Sequence, residues 1–131
     1  MNDAILILGS DTGIRNAIAR TLEAEGYAVL RAGNMGTAVD LLRKHRFDLL
    51  IVRPYLENIS GHDAGIYLRR QYPGLPVLIV SGFFQDLNLE TTESVEEFYT
   101  FPKPFTAGEL VSKVNEVLIR SSTHMQTPTT L

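Results

Sequence analysis

The chain contains no cysteine, so disulfides, thiolate zinc sites, iron–sulfur clusters and thiol redox chemistry are all excluded. It has no apolar run approaching the ~18 to 20 residues that a membrane span requires. It also lacks the basic segment and long apolar stretch of a signal peptide, which points to the cytoplasm. Basic residues are not in excess: 12 Lys and Arg stand against 15 Asp and Glu, scattered along the chain, so nucleic-acid binding has no electrostatic footprint. Its three histidines, His45, His62 and His124, are far apart and show no metal-ligand spacing. What is present is the composition of one ordinary globular domain, with 44% hydrophobic and 21% charged residues in 131.

Short apolar runs alternate with amphipathic stretches. Ala4 to Leu8 is continuously apolar and ends at Gly9, as a strand buried on both faces does. From Thr12 to Glu25 the positions Ile14, Ala17, Ile18 and Leu22 follow helical spacing, with Gly26 as the stop. Tyr27–Leu30, Leu49–Val52, Val77–Val80 and Phe98–Phe101 read as further strands. Met35–His45, His62–Gln71 and Thr106–Ile119 read as helices, and Gln85–Glu97 as a short or distorted fourth helix because it holds several poor helix formers. The alternation predicts an α/β domain: a doubly wound, five-stranded parallel sheet with right-handed crossovers and helices on both faces. It occupies residues 1–120, with a flexible polar tail at 121–131.

In such sheets ligands bind at the carboxyl ends of the strands. The residues there are Gly9, Ser10 and Asp11, then Arg31, Arg53, Ser81 and Gly82, and finally Pro102, Lys103 and Pro104. Taken with their strands, these positions resemble the receiver domains of bacterial response regulators, whose fold is flavodoxin-like, that is CheY-like. The resemblance covers about residues 4 to 119. Pro76-Val77-Leu78-Ile79-Val80-Ser81-Gly82 is similar to the family's fourth strand, so Ser81 matches its signalling Ser/Thr. Lys103-Pro104-Phe105 matches the Lys-Pro-Phe after the fifth strand, whose lysine contacts the phosphoryl group. Phe47-Asp48-Leu49-Leu50-Ile51-Val52, followed by Gly61, is similar to the third strand and its loop, which puts Arg53 at the position of the phosphorylated aspartate.

The departures from that pattern carry the functional expectation. The family's two Mg²⁺-holding acidic residues match Gly9 and Ser10, neither of which has a carboxylate. A permanently protonated guanidinium at position 53 cannot act as the nucleophile. Asp48, five residues from Arg53 along a strand, is roughly 16 Å away and out of reach. Asp11 is read as the cap of the following helix. Mg²⁺ binding, any other cofactor and enzymatic activity are therefore not expected.

The chain reads as a degenerate pseudo-receiver, a protein-interaction module of two-component phosphorelay signalling. Its implied partner is a protein such as a histidine kinase or an output domain, with no nucleic acid and no membrane. Arg53 shares its cleft with Lys103, and two cations there repel. The simplest outcome is Arg53 swung to solvent or paired with Glu57. An alternative function is an anion- or nucleotide-binding switch built from Arg53, Ser81 and Lys103.

The family's aromatic switch position is Thr100, flanked by Tyr99 and Phe101. The adjacent Phe83 and Phe84, together with Tyr99 and Thr100, form a candidate interaction surface, and a homodimer is compatible with the sequence without being written in it. A further alternative is a dinucleotide-binding fragment, because Gly9-Ser10-Asp11-Thr12-Gly13-Ile14 is similar to the glycine-rich turn of short-chain dehydrogenases. Against it, Arg15 stands where the third glycine is needed, and Tyr67 is followed four positions later by Gln71, so a Tyr-x-x-x-Lys pair is missing.

Overall fold

The structure is a computed structural model that describes residues 3–53, 56, 58–80, 98–101 and 107–126. Its elements run β1 (Ala4–Leu8), α1 (Thr12–Glu23), β2 (Ala28–Ala32), α2 (Met35–Lys44), β3 (Leu49–Val52), α3 (Gly61–Gln71), β4 (Val77–Val80), β5 (Phe98–Phe101) and α4 (Ala107–Gln126). The strands pair in the order β2-β1-β3-β4-β5, and every pairing is parallel.

Two-residue periodicity explains how β1, β3 and β4 hold helices against the sheet. Ile5 and Ile7, Leu49 and Ile51, and Leu78 and Val80 join one core cluster with Ile18, Ala19 and Leu22 of α1 and Leu110, Val114 and Val117 of α4. The intervening residues, Leu6 and Leu8, Leu50 and Val52, and Val77 and Ile79, join a second cluster with Ala38 and Leu42 of α2 and Ala64 and Leu68 of α3. Both sets are out of water, which is why these strands read as unbroken apolar runs rather than as alternating ones.

Each of the first three helices starts on a side-chain cap. Asp11, Asn34 and Ser60 accept hydrogen bonds from the backbone N–H groups of Ile14, Thr37 and Asp63, each closing one of the donors that a helix start leaves open. Helix α1 ends earlier than its spacing predicts, with Ala24 as its C-cap, and the chain turns through Gly26 at φ +97°, a left-handed conformation that a Cβ disfavours. In consequence β2 starts one residue later than expected and runs on to Ala32. Arg31 thus lies inside β2, where its guanidinium meets Glu23 at 3.1 Å.

One expectation changes at the C-terminal end. The last helix starts at Ala107 and continues to Gln126, so residues 121–126, read from the sequence as flexible tail, are helical in backbone. Ser121 to Gln126 holds no proline or glycine, and a helix already nucleated by packing extends at little cost until a breaker intervenes; here Pro128 follows. The expected helix at 85–97 lies outside the described residues.

Tyr27, in the turn before β2, donates its phenolic hydroxyl to Asn115 Oδ1 and so links that turn to α4. Its pKa is raised above the ordinary tyrosine value, first by burial and then by the negative charges of Asp3 and Glu25. A raised folded-state pKa means that the contribution to stability is whole below the unfolded value of about 10 and is lost as pH rises through the folded value. Stability of the wild-type chain should therefore fall more steeply above about pH 10 than that of Tyr27→Phe, with no difference in slope near neutrality. Urea denaturation across that alkaline range checks this.

Candidate functional site

The sheet order reverses direction between β1 and β3: the chain leaves β1 for β2 on one side and returns to β3 on the other. The crevice of a doubly wound sheet opens at this point, at the carboxyl ends of the two strands. Leu8 pairs with Val52, and Val52 with Ile79, so the next residues, Gly9, Arg53 and Val80, stand level across the reversal.

Position 9 is where these elements meet. The Gly9 N–H donates to Ala32 O of β2 at 3.0 Å, and the Gly9 carbonyl accepts from Arg15 Nη1 of α1 at 2.6 Å. The Arg53 N–H donates to Leu8 O at 3.0 Å, which carries the β1–β3 ladder one residue beyond the strands. The Arg53 side chain then runs across the crevice and donates from Nη1 to Val80 O at 2.6 Å. Its stem lies against Gly9 so closely that a Cβ built on Gly9 would stand 2.6 Å from Arg53 Cγ and 3.4 Å from Arg53 Cβ.

Arg53 is therefore not turned to solvent. It is 7% exposed and is the buried charged residue among the described positions. The expectation of a solvated side chain is overturned for a physical reason. Residue 53 follows a strand buried on both faces, its stem finds room over a glycine, and its head finds a carbonyl at the end of the neighbouring strand. Its expected partner Glu57 lies outside the described residues. A hydrogen bond from a charged donor contributes about 1.5–3 kcal/mol, which offsets part of the several kcal/mol that taking such a group out of water costs.

The other expected site residues divide three ways. Gly9 is buried, whereas Ser10 is exposed and Asp11 is occupied as the α1 cap. Tyr99 and Thr100 lie in β5, in backbone register with Leu78 and Ile79. Ser81, Phe83, Phe84 and Lys103 lie outside the described residues. Asp48 stands at the opposite edge, where its carboxylate accepts from the Ala4 N–H at 2.8 Å.

Two participants escape a reading by spacing. Arg15, one turn beyond the Asp11 cap, folds back over the turn instead of projecting outward, and its Nη1 lies 3.1 Å from where a Cβ on Gly33 would be. The glycine-rich turn from Gly9 is thus covered by an arginine, which removes the open cradle that a pyrophosphate needs. The Val80 carbonyl is a backbone atom, and no side-chain pattern announces it.

Architecture and site together define a class, the flavodoxin-like fold of CheY, and solved receiver domains superpose on it. A CheY-like receiver domain protein from Methanospirillum hungatei JF-1 matches with a TM-score of 0.80 at 22% identity, over 95% of this chain and 99% of that one. NtrX from Brucella abortus matches with a TM-score of 0.85 at 25% identity, over 98% of this chain and 29% of that one.

Residues 5–115 match the response regulator receiver domain family, and the chain belongs to that family, the receivers of two-component systems. Among its sequence relatives, a probable transcriptional regulatory protein of Picosynechococcus is 31% identical over 95% of this chain and 52% of its own length. The cell cycle transcriptional regulator CtrA of Caulobacter vibrioides is 28% identical over 93% of this chain and 53% of its own. The chain spans about half the length of the curated relatives that it matches.

The cap at Asp11 can be checked separately from the rest of the site. Asp11→Ala leaves the Ile14 N–H without its carboxylate partner and should lower stability by about 1 kcal/mol in urea denaturation, with an unchanged m value.

Proposed function

We propose that this receiver domain works without phosphoryl transfer, as a protein-interaction module whose output is set by binding. The observation that carries the reading is Arg53, which the family resemblance matches to the acceptor position and which is buried and bonded to Val80 O. An acyl-phosphate needs a carboxylate nucleophile, and a guanidinium remains protonated and non-nucleophilic. Moving Arg53 aside would not supply the missing group.

Mg²⁺, the metal that receivers of this family use, does not fit these residues. It is a hard cation that takes oxygen ligands, usually one or two carboxylates, and positions 9 and 10 are Gly and Ser. The space over Gly9, into which a carboxylate there would project, is filled by the Arg53 stem. The cationic head of Arg53 also makes the crevice repel a second cation. The domain is accordingly read as neither a metal site nor an enzyme.

Its partner, on this reading, is a cytoplasmic signalling protein, either a sensor kinase or an output domain. The relatives named as transcriptional regulators are about twice the matched length, and we assign no DNA binding to the matched portion. Among the described residues no helix is long and apolar enough to cross a membrane.

Incubation with acetyl phosphate or beryllofluoride in Mg²⁺, read by intact mass and thermal melting, tests the reading. The expected outcome is no mass gain and no melting shift. A shift with phosphate alone would favour an anion switch built on Arg53, Ser81 and Lys103, because a ligand that binds only the folded state raises its stability. A hydroxylamine-labile adduct would show that another carboxylate accepts the phosphoryl group, and would overturn the proposal. Arg53→Asp places a carboxylate at the acceptor position yet should still gain no phosphoryl mass, since positions 9 and 10 continue to offer no metal ligand.

A further inference from the structure

We infer that Gly9 and Arg53 form a single interdependent unit, a strut built into the protein that holds the carboxyl ends of β1, β3 and β4 in one arrangement without any effector. The inference deepens the proposed function and rests on it for its meaning, but its geometry stands apart from phosphoryl chemistry. Arg53 is joined to β1 through its own N–H on Leu8 O and to β4 through Nη1 on Val80 O. Between these two bonds its stem crosses the Cα of Gly9. The fit is possible only because residue 9 has no side chain. The atom that a Cβ would strike at 2.6 Å is Arg53 Cγ, near the root of the side chain, and the far end is held by Val80 O. The contact cannot be relieved by a small swing of the tip.

Backbone conformation does not require glycine at position 9. Among the described residues the positive-φ glycine is Gly26, so Gly9 has a φ that alanine tolerates. Taken alone, Gly9→Ala should therefore be neutral or mildly stabilising, because alanine narrows the unfolded ensemble. The strut predicts the opposite sign. Its consequence, on the proposed reading, is that the carboxyl edge of the sheet is held by an internal cation without an effector.

A double-mutant cycle of G9A, R53A and G9A/R53A, followed by urea denaturation of the full chain, decides the matter. G9A should lower the unfolding midpoint of the wild-type protein, and in the R53A background the same change should be neutral or raise it. R53A alone should speed amide exchange at the end of β4. A wild-type midpoint that is unchanged or raised by G9A would overturn the inference, and so would an equal drop in both backgrounds. Should R53A fail to fold, a wild-type midpoint that G9A leaves unchanged or raises still overturns the inference. Because none of these measurements involves phosphate, failure of the strut is distinguishable from failure of the phosphorylation-independent reading.

Discussion

Taking a guanidinium out of water is costly unless its donors find acceptors, and the carboxyl edge of this sheet is organised around that constraint. Arg53 follows β3, a strand buried on both faces, so its side chain starts inside the protein. It stays buried because three things coincide: a glycine on the adjacent strand leaves a channel for the stem, the sheet register brings Val80 level with Arg53, and the Val80 carbonyl accepts at 2.6 Å. A side chain on residue 9 would close the channel, and a different register would leave a buried charge without that acceptor. Gly9 and the Val80 carbonyl together accommodate the arginine.

The constraint is met on a scaffold whose stability comes from elsewhere. Two apolar clusters sandwich β1, β3 and β4, fed by alternate residues of each strand, and both clusters are almost fully out of water. Burial on this scale is what a parallel sheet requires, since its strands are covered by helices on either side. The bulk of the buried apolar surface lies in these clusters and not at the carboxyl edge. The receiver family match across residues 5–115 holds in a chain that carries Gly9, Ser10 and Arg53.

Most of the strand and helix boundaries were legible because their signals are local. Leu49–Val52, Val77–Val80 and Phe98–Phe101 stand where their apolar runs place them. The ends of α1 and α4 were less legible. At Ala24 a turn closed by short-range backbone bonds and by Gly26 ends the helix before its spacing does, and beyond Ile119 a polar stretch without periodicity stays helical because nothing in it breaks the helix. The cap at Asp11 was legible because it depends on residues three apart. Arg53 was legible as a substitution and illegible as a conformation, since solvent, an acidic partner and a carbonyl are all compatible with the same residue in a string.

By itself, then, the amino-acid sequence determined the family, the succession of elements, and the absence of carboxylates from positions 9, 10 and 53. These follow from the chemical identity of residues and from periodicities that each segment carries alone. Only the tertiary structure decided how Arg53 is housed at the carboxyl edge of the sheet. The approach of Arg53 to Gly9, its bond to Val80 O and the fold of Arg15 over the turn join residues distant in the chain, and the reversal of strand order between β1 and β3 brings the first pair together. No local pattern encodes a contact whose geometry is set by the register of neighbouring strands.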